Sequence, residues 1–499
     1  MFQLEFHAMV CTPRLGRKAF VLVALATAAA GGFFASTAQA ATSLTWSGTT
    51  SGNWSDASNW GGVGVPDGTG DILVFPSISG TRAMNNDVAG VVVNSITINS
   101  GLYTLAGNGI TFSGTTPIYT NNAGGSGDAI VNNQITTLNT TTTFQSTGAT
   151  RLTFAGDITG TGGVIIGTST GAGTVRFSGT AKTYSGDTTV NFGTLDLVTT
   201  ASLIPSGAGK GNVTVAAGAT ILDENVNLDI NGLNGAGTIN RNTGSNTRGL
   251  TVGNNNANGT FTGTIVNNGT GAYSVTKNGT GTQTLGAITI NAGVNANNGT
   301  LVLNGAVTAS ALTVATAGTL AGTGTFTTTG AFTANGIVAP GNLGVGAMND
   351  SSATAAFTAT SMLQVEIGGN TAGTGYDQLN FTNAAGTVTI DPAAALSLSL
   401  VNGYTPTASD VDYILTRADA GTFASFFAGT SEGSTVNLGA YTAQITYQAN
   451  WTGTQAGSSL TAGNDVALYN FQAGAPVPEP ASLGVLGLGA VALLKRRRK

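Results

Sequence analysis

Gly173–Leu197, GTVRFSGTAKTYSGDTTVNFGTLDL, is the stretch whose reading decides the fold. Val175 and Phe177 flank Arg176, Val190 and Phe192 flank Asn191, and Leu195 and Leu197 flank Asp196. Apolar residues at alternate positions describe strands buried on one face only. Each run is short and is closed by Gly, Ser, Asp or Asn, the residues that turn a chain. The same wording returns in ITINAGVNANNGTLVLNG (Ile288–Gly305), where Gly299–Leu303 echoes Gly193–Leu197, then in GTLAGTGTF (Gly318–Phe326) and the closing GIVAPGN (Gly336–Asn342).

Short strands with frequent turns suit a sandwich, a barrel or a stacked solenoid. The motif repeats but its spacing wanders, which a stack accommodates by looping out residues. A closed barrel, whose tilt and stagger are linked, does so less readily. A solenoid over residues 90–345 is therefore expected, with about 20–25 residues per coil and roughly ten to twelve coils. At about 4.8 Å per coil the rod is on the order of 50–60 Å long. Before it, residues 41–89 read as an N-terminal cap in which Trp46, Trp54 and Trp60 sit among Gly, Asn and Ser. Those indoles either plug the open end of the stack or form an aromatic platform for sugar rings, and the plug is preferred. After it, residues 346–472 carry longer alternating strands, such as LQVEIGGNTAGTGYDQLNF (Leu363–Phe381), and read as a β-sandwich-like block or terminal cap.

Composition narrows function. Charged residues are 8% of 499, against about 25% in an ordinary soluble domain, yet 41% of residues are apolar, which disordered chains lack. Residues 1–40 read as a secretory signal peptide: Arg14, Arg17 and Lys18, the apolar run Ala19–Ala30, and a small-residue cleavage site at Ala38 and Ala40. Signal peptidase and the general secretion machinery are thus expected partners. Cleavage there removes His7 and Cys11, the sole His and Cys. That excludes Ser-His-Asp or Cys-His catalysis, disulfides and the common zinc sites. Between Ala41 and Leu494 there are 21 Asp plus Glu and nine Lys plus Arg, a net of −12, with Lys182, Lys210 and Lys277 isolated. Nucleic acid, which demands a cationic footprint, is not an expected partner. Asp223 and Glu224, with Asp229 nearby, form the best carboxylate group for a glycosidase-type pair. Asp410 and Asp412 face one side of a strand and could hold calcium, but a solvated edge is preferred. No catalytic residue, metal or cofactor is expected.

The chain ends VPEPASLGVLGLGAVALLKRRRK, Val477–Lys499. Ala481–Leu494 as a helix is about 21 Å long at 1.5 Å per residue, short of the roughly 30 Å hydrocarbon core. The tail Lys495, Arg496, Arg497, Arg498 and Lys499 favours the cytoplasmic side, which places the body outside. A weak anchor behind a Pro-Glu-Pro corner reads as a recognition signal rather than a permanent tether.

Two resemblances add to this. The Gly-Thr-Leu-x-Leu strands, TTVNF, ITINA and VAPGN, with NWSDASNW at the start, resemble the autotransporter-associated β-strand repeat of secreted passenger-type proteins. That resemblance implies a right-handed parallel β-helix exposed to the outside, although no ten-residue strands of a translocator barrel follow Leu343. Val477, Pro478, Glu479 and Pro480, the apolar segment and the basic end resemble the PEP-CTERM sorting signal over residues 473–499. It implies processing by an exosortase of a Gram-negative bacterium, transient inner-membrane anchoring and release to the outer surface, often alongside exopolysaccharide. The expectation is a noncatalytic extracellular structural or adhesive protein associated with extracellular polysaccharide or biofilm matrix. A β-helix polysaccharide lyase or glycoside hydrolase is the alternative.

Overall fold

Alternation along each strand places every second side chain in one continuous interior, and the chain coils so that each strand lies parallel to the strand one turn earlier. The computed structural model describes residues 42–474, apart from 49–50, 69, 78–81, 100–102, 123–127, 132–133, 148–150, 169–172, 200–201, 225 and 342–343. On one face the inward file runs Leu44, Leu73, Ile96, Tyr119, Phe144, Ile166, Val190 and Val215, each in register with the next. It continues through Gly235, Phe261, Leu285 and Leu303. From the strand holding Leu303, Leu301 carries it on to Leu320, Val338, Leu363 and Leu396. Ile96 and Val338 are eleven turns and 242 residues apart, about 22 residues per turn. The described residues are all-β with almost no helix: their helical turns are two short 3-10 segments.

A second file, Val175, Leu195, Ile221, Ile239, Ile265, Ile288, Val307 and Phe326, stacks on another face. All eight are buried. Each such side chain contributes roughly 1.5–3 kcal/mol of burial, and because a coil touches only its neighbours the core is built turn by turn. Aromatic residues fill the early coils, where the Phe144 and Phe154 rings lie 4.3 Å apart. Glycine is required at some corners. Gly235 has φ +101°, and a Cβ there would fall 2.0 Å from the Val215 carbonyl oxygen of the preceding turn. Asparagine amides link successive coils, as between Asn268 and Asn240 (3.0 Å) and between Asn267 and Asn291 (2.7 Å).

At the N-terminal end Trp46, Trp54 and Trp60 are all buried. Trp46 and Trp60 meet edge to face at 4.9 Å, and Trp60 Nε1 donates to the Trp54 carbonyl at 2.9 Å. Their faces are therefore closed to sugar rings, and the plug is the reading that fits. The turn Ala57–Trp60 forms because the Asp56 side chain accepts the Ser58 N–H and Gly61 (φ +68°) ends it.

The other end differs from the sandwich-like block expected from residue 346 onward. The parallel files run past that point: Phe332 pairs with Ala355, Ala355 with Val388, Leu363 with Leu396 and Leu379 with Leu415. Apart from isolated bridges such as Gly322–Gly341 and Ile367–Tyr376, antiparallel pairing begins where Val411–Arg417 meets Asp465–Ala473, which in turn pairs with Tyr441–Ala449. Longer loops between these last coils, such as the one from Ile367 to Gln378, lengthen the repeat without breaking the stack. The antiparallel strands cover the edge of Val411–Arg417, which would otherwise be open to pairing. The signal peptide with Ala38 and Ala40, the sorting signal Val477–Pro480, the 481–494 helix and the basic tail lie outside the described residues.

Candidate functional site

Strand alternation decides what the predicted carboxylates can do. In Thr220–Glu224 the side chains at 221 and 223 turn inward and 224 turns outward. Asp223 is fully buried; its Oδ1 accepts the Val226 N–H at 3.0 Å, and it pairs in register with Arg241 of the next coil. Burial pushes its carboxyl up to about 6. Glu224 instead lies 3.6 Å from Arg176, which also holds Asp196 at 2.6 Å. Asp229 is exposed and pairs with Thr251 on a different face. The three do not converge.

Four cations of the body, Lys182, Lys210, Lys277 and Arg241, are engaged in closing turns. Lys182 Nζ donates to the Gly156, Ser178 and Thr180 carbonyls at 2.6, 2.8 and 2.9 Å. Lys277 Nζ does the same to Asn278, Gly279 and Asn298, and Lys210 Nζ to Thr183 and Tyr184. Arg241 reaches the carbonyls of Gly271, Ala272, Gly244 and Asn246. Burial lowers both Lys182 and Lys277 to about 8. Sequence reasoning missed this role; the available signal was that Lys210 lies between two glycines and Lys277 precedes Asn278-Gly279.

One groove does gather polar groups. A cavity of about 180 Å³ on the outer face is lined by Thr300, Thr319, Gln364, Glu366 and Asp377, with Ala321, Ala339 and Gly341 leaving it recessed. Asp377 is buried, and its two oxygens accept the N–H groups of Gly346 (2.7 Å) and Glu366 (2.8 Å). Burial, opposed by those bonds and reinforced by the neighbouring Glu366 charge, pushes Asp377 up to about 7. Glu366 and Asp377 escaped the sequence reading because eleven residues and a loop separate them.

The remaining outward surface is hydroxyl and amide. Thr251, Thr276, Asn295, Thr313 and Thr333 stand in register on successive coils and are partly exposed. A second row, Thr289, Thr308 and Thr327, is exposed. Spacing within such rows is set by strand separation, about 4.8 Å. Among the described residues no group of three or more His, Cys, Asp or Glu could hold a metal, and no helix is long and apolar enough to cross a membrane.

Residues 476–499 match the PEP-CTERM protein-sorting motif. The motif is a substrate signal for an exosortase and marks an exported protein destined for the cell surface or the extracellular space. It covers 24 of 499 residues, so it speaks for the handling of the chain and not for the action of the rod. Comparison with curated proteins finds no match.

Proposed function

We propose that the chain is a noncatalytic structural and adhesive protein of the cell surface or matrix, in which the solenoid displays rows of hydroxyls and amides to extracellular polysaccharide. The observation carrying this reading is the in-register outward row Thr251, Thr276, Asn295, Thr313 and Thr333. Neutral donors and acceptors repeated at strand spacing suit an uncharged polymer, and the turn-bound lysines leave few cations for an acidic one. Export begins with the signal peptide cut after Ala40 by signal peptidase. The 481–494 segment then holds the protein transiently in the inner membrane of a Gram-negative bacterium, with Lys495–Lys499 on the cytoplasmic side. An exosortase cuts near Val477–Pro480. The passenger-type repeats and a right-handed coil belong to the same reading.

Fractionation of the native host with mass spectrometry of both termini tests it. A mature form beginning near Ala41, ending near Pro480 and found in the outer-surface or medium fraction supports the proposal. An intact basic tail in the inner membrane makes the ending a plain anchor and removes the sorting step.

The enzymatic alternative, a β-helix polysaccharide lyase or glycoside hydrolase, now centres on Glu366 and Asp377 rather than Asp223, Glu224 and Asp229. A carboxyl whose protonated form is favoured by burial, set beside a second carboxyl group, is the pairing that glycoside hydrolysis uses. Reducing-end release from polysaccharides by the wild type, abolished by Glu366→Gln, would establish it; no release by either discards it.

A further inference from the structure

Alternation over Val411–Ile414 splits the side chains of the strand Val411–Arg417 between two interiors, and a register shift beyond Tyr413 leaves Leu415 in the main core as well. Val411 and Tyr413 pack with Trp451 and Leu460 in a small outer cluster, whereas Ile414 joins the main core of the rod. Asp412 shares the face of Ile414 and is therefore driven into the seam between the last coil and the antiparallel cap. It is fully buried, and neither carboxylate oxygen has a hydrogen-bond partner. A buried ionised carboxylate with nothing to balance it costs several kcal/mol. The surroundings make the imbalance worse. Asp410, two residues earlier, lies close enough to reinforce the charge, and the phenols of Tyr376 and Tyr404 lie within electrostatic reach of Asp412. Asp410 Oδ2 is already positioned, accepting the Tyr404 hydroxyl and the Thr407 N–H at 2.7 Å each, with the Asn370 amide beside it. No described lysine or arginine bonds to either carboxylate.

We infer that Asp410 and Asp412 form a calcium site at the junction of rod and cap, completed by neutral oxygens of the 368–376 and 402–410 loops and by water. Calcium takes six to eight oxygens in flexible geometry and needs few of them charged. Two carboxylates of an exported protein suit the weak range, roughly 10⁻⁴–10⁻³ M, of extracellular modules. Bound there, the ion removes the cost of the buried charge and ties the last turns to the strands that close the edge. The sequence alone favoured a solvated edge at these two positions; the complete burial of Asp412 is what changes the assignment.

The rival resolution is a proton. Burial, with the Asp410 charge adding to it, pushes Asp412 up to about 8, so a neutral carboxylic acid is available in place of a cation. The test is calcium uptake by the full chain at pH 8.5 after treatment with a chelator, read by equilibrium dialysis, together with urea unfolding with and without 10 mM calcium. Saturable binding of one ion per chain, with the unfolding equilibrium shifted about tenfold toward the folded state, supports the site. Asp410→Asn, half-exposed and able to keep the Tyr404 contact, should lose both effects. Asp412→Asn should match or exceed the wild type in stability without calcium and gain nothing from the ion. Absence of saturable uptake by the wild type overturns the inference and leaves Asp412 as a protonated acid, as does uptake that survives in both variants.

Discussion

Arg241→Met is the most direct test of the idea that buried cations hold the turns of the rod. The guanidinium is fully buried and donates to four carbonyls, the shortest bonds being 2.7 Å to Gly271 and 2.5 Å to Asn246, while its carbon lies 5.6 Å from the centre of the Tyr273 ring. Methionine nearly keeps the volume and removes every donor. Three of the acceptors retain other bonds: Gly271 from Asn267 and Asn291, Ala272 from the Arg248 N–H, and Gly244 from the Gly271 N–H. The loss is counted over the two short charge-assisted bonds, about 1.5–3 kcal/mol each, or about 3–6 kcal/mol, overlapping the range of breaking a buried charged network. In a stack whose coils touch only their neighbours the damage is local. Hydrogen exchange followed by mass spectrometry should show amides of Thr238–Val252 and Tyr273–Lys277 exchanging about 10²- to 10⁴-fold faster, from about 1.4 kcal/mol per tenfold. Coils before Val175 should be unchanged. A change under about fivefold, or one spread evenly along the chain, refutes the reasoning, and the exposed Arg82→Met is the control that should show none.

Gly235→Ala forces an alanine to φ +101° with its Cβ against the Val215 carbonyl, which should cost more than about 2 kcal/mol. Gly207→Ala, at φ +92° with open space around it, should cost about 1 kcal/mol, and urea unfolding distinguishes the two. Burial raises Asp223 and Asp350 to about 6 and Asp377 to about 7. Because these folded values exceed the unfolded one, the folded chain holds protons that the unfolded chain has released. The associated stability is complete below about pH 4 and is lost as the pH rises through about 6 to 7. Unfolding at pH 5 and pH 7.5 should show the lower midpoint at the higher pH, and Asp377→Asn should shrink the difference; a rise in stability over that interval contradicts the assignment. Trp46, Trp54 and Trp60 are closed to solvent and Trp451 is partly exposed. Acrylamide should then quench only a minor part of the emission, and soluble glycans should not perturb the major part.

Alternation and turn residues made the strands of Gly173–Leu197 legible, although Phe192 falls outside its strand and is exposed and Asp196 is buried, and the repeat length came from the general range for stacked coils. The candidate sites were much less so. Asp223 and Glu224 are adjacent in sequence, and that adjacency is what parts them, since neighbouring residues of a strand point to opposite sides. Asp377 and Glu366 meet because a loop folds back between consecutive strands, for which period-two text has no marker. Asp410 and Asp412 are two apart, but Asp410 precedes the strand and keeps partial contact with water whereas Asp412 is buried, and nothing in their spacing told the two apart.

By itself the sequence determined an all-β chain whose inward residues alternate, an acidic and cation-poor body, and a C-terminal sorting motif, since each depends on local pattern or composition. Only the tertiary structure decided which echo stacks on which. Gly318–Gly322 lies on Gly299–Leu303, but the similar Gly193–Leu197 stacks with Thr220–Glu224 on another face. Every face of a solenoid imposes the same two-residue period, so the pattern carries no label for the face. Phase along the coil is set by corner geometry and by the packing of each turn on the last.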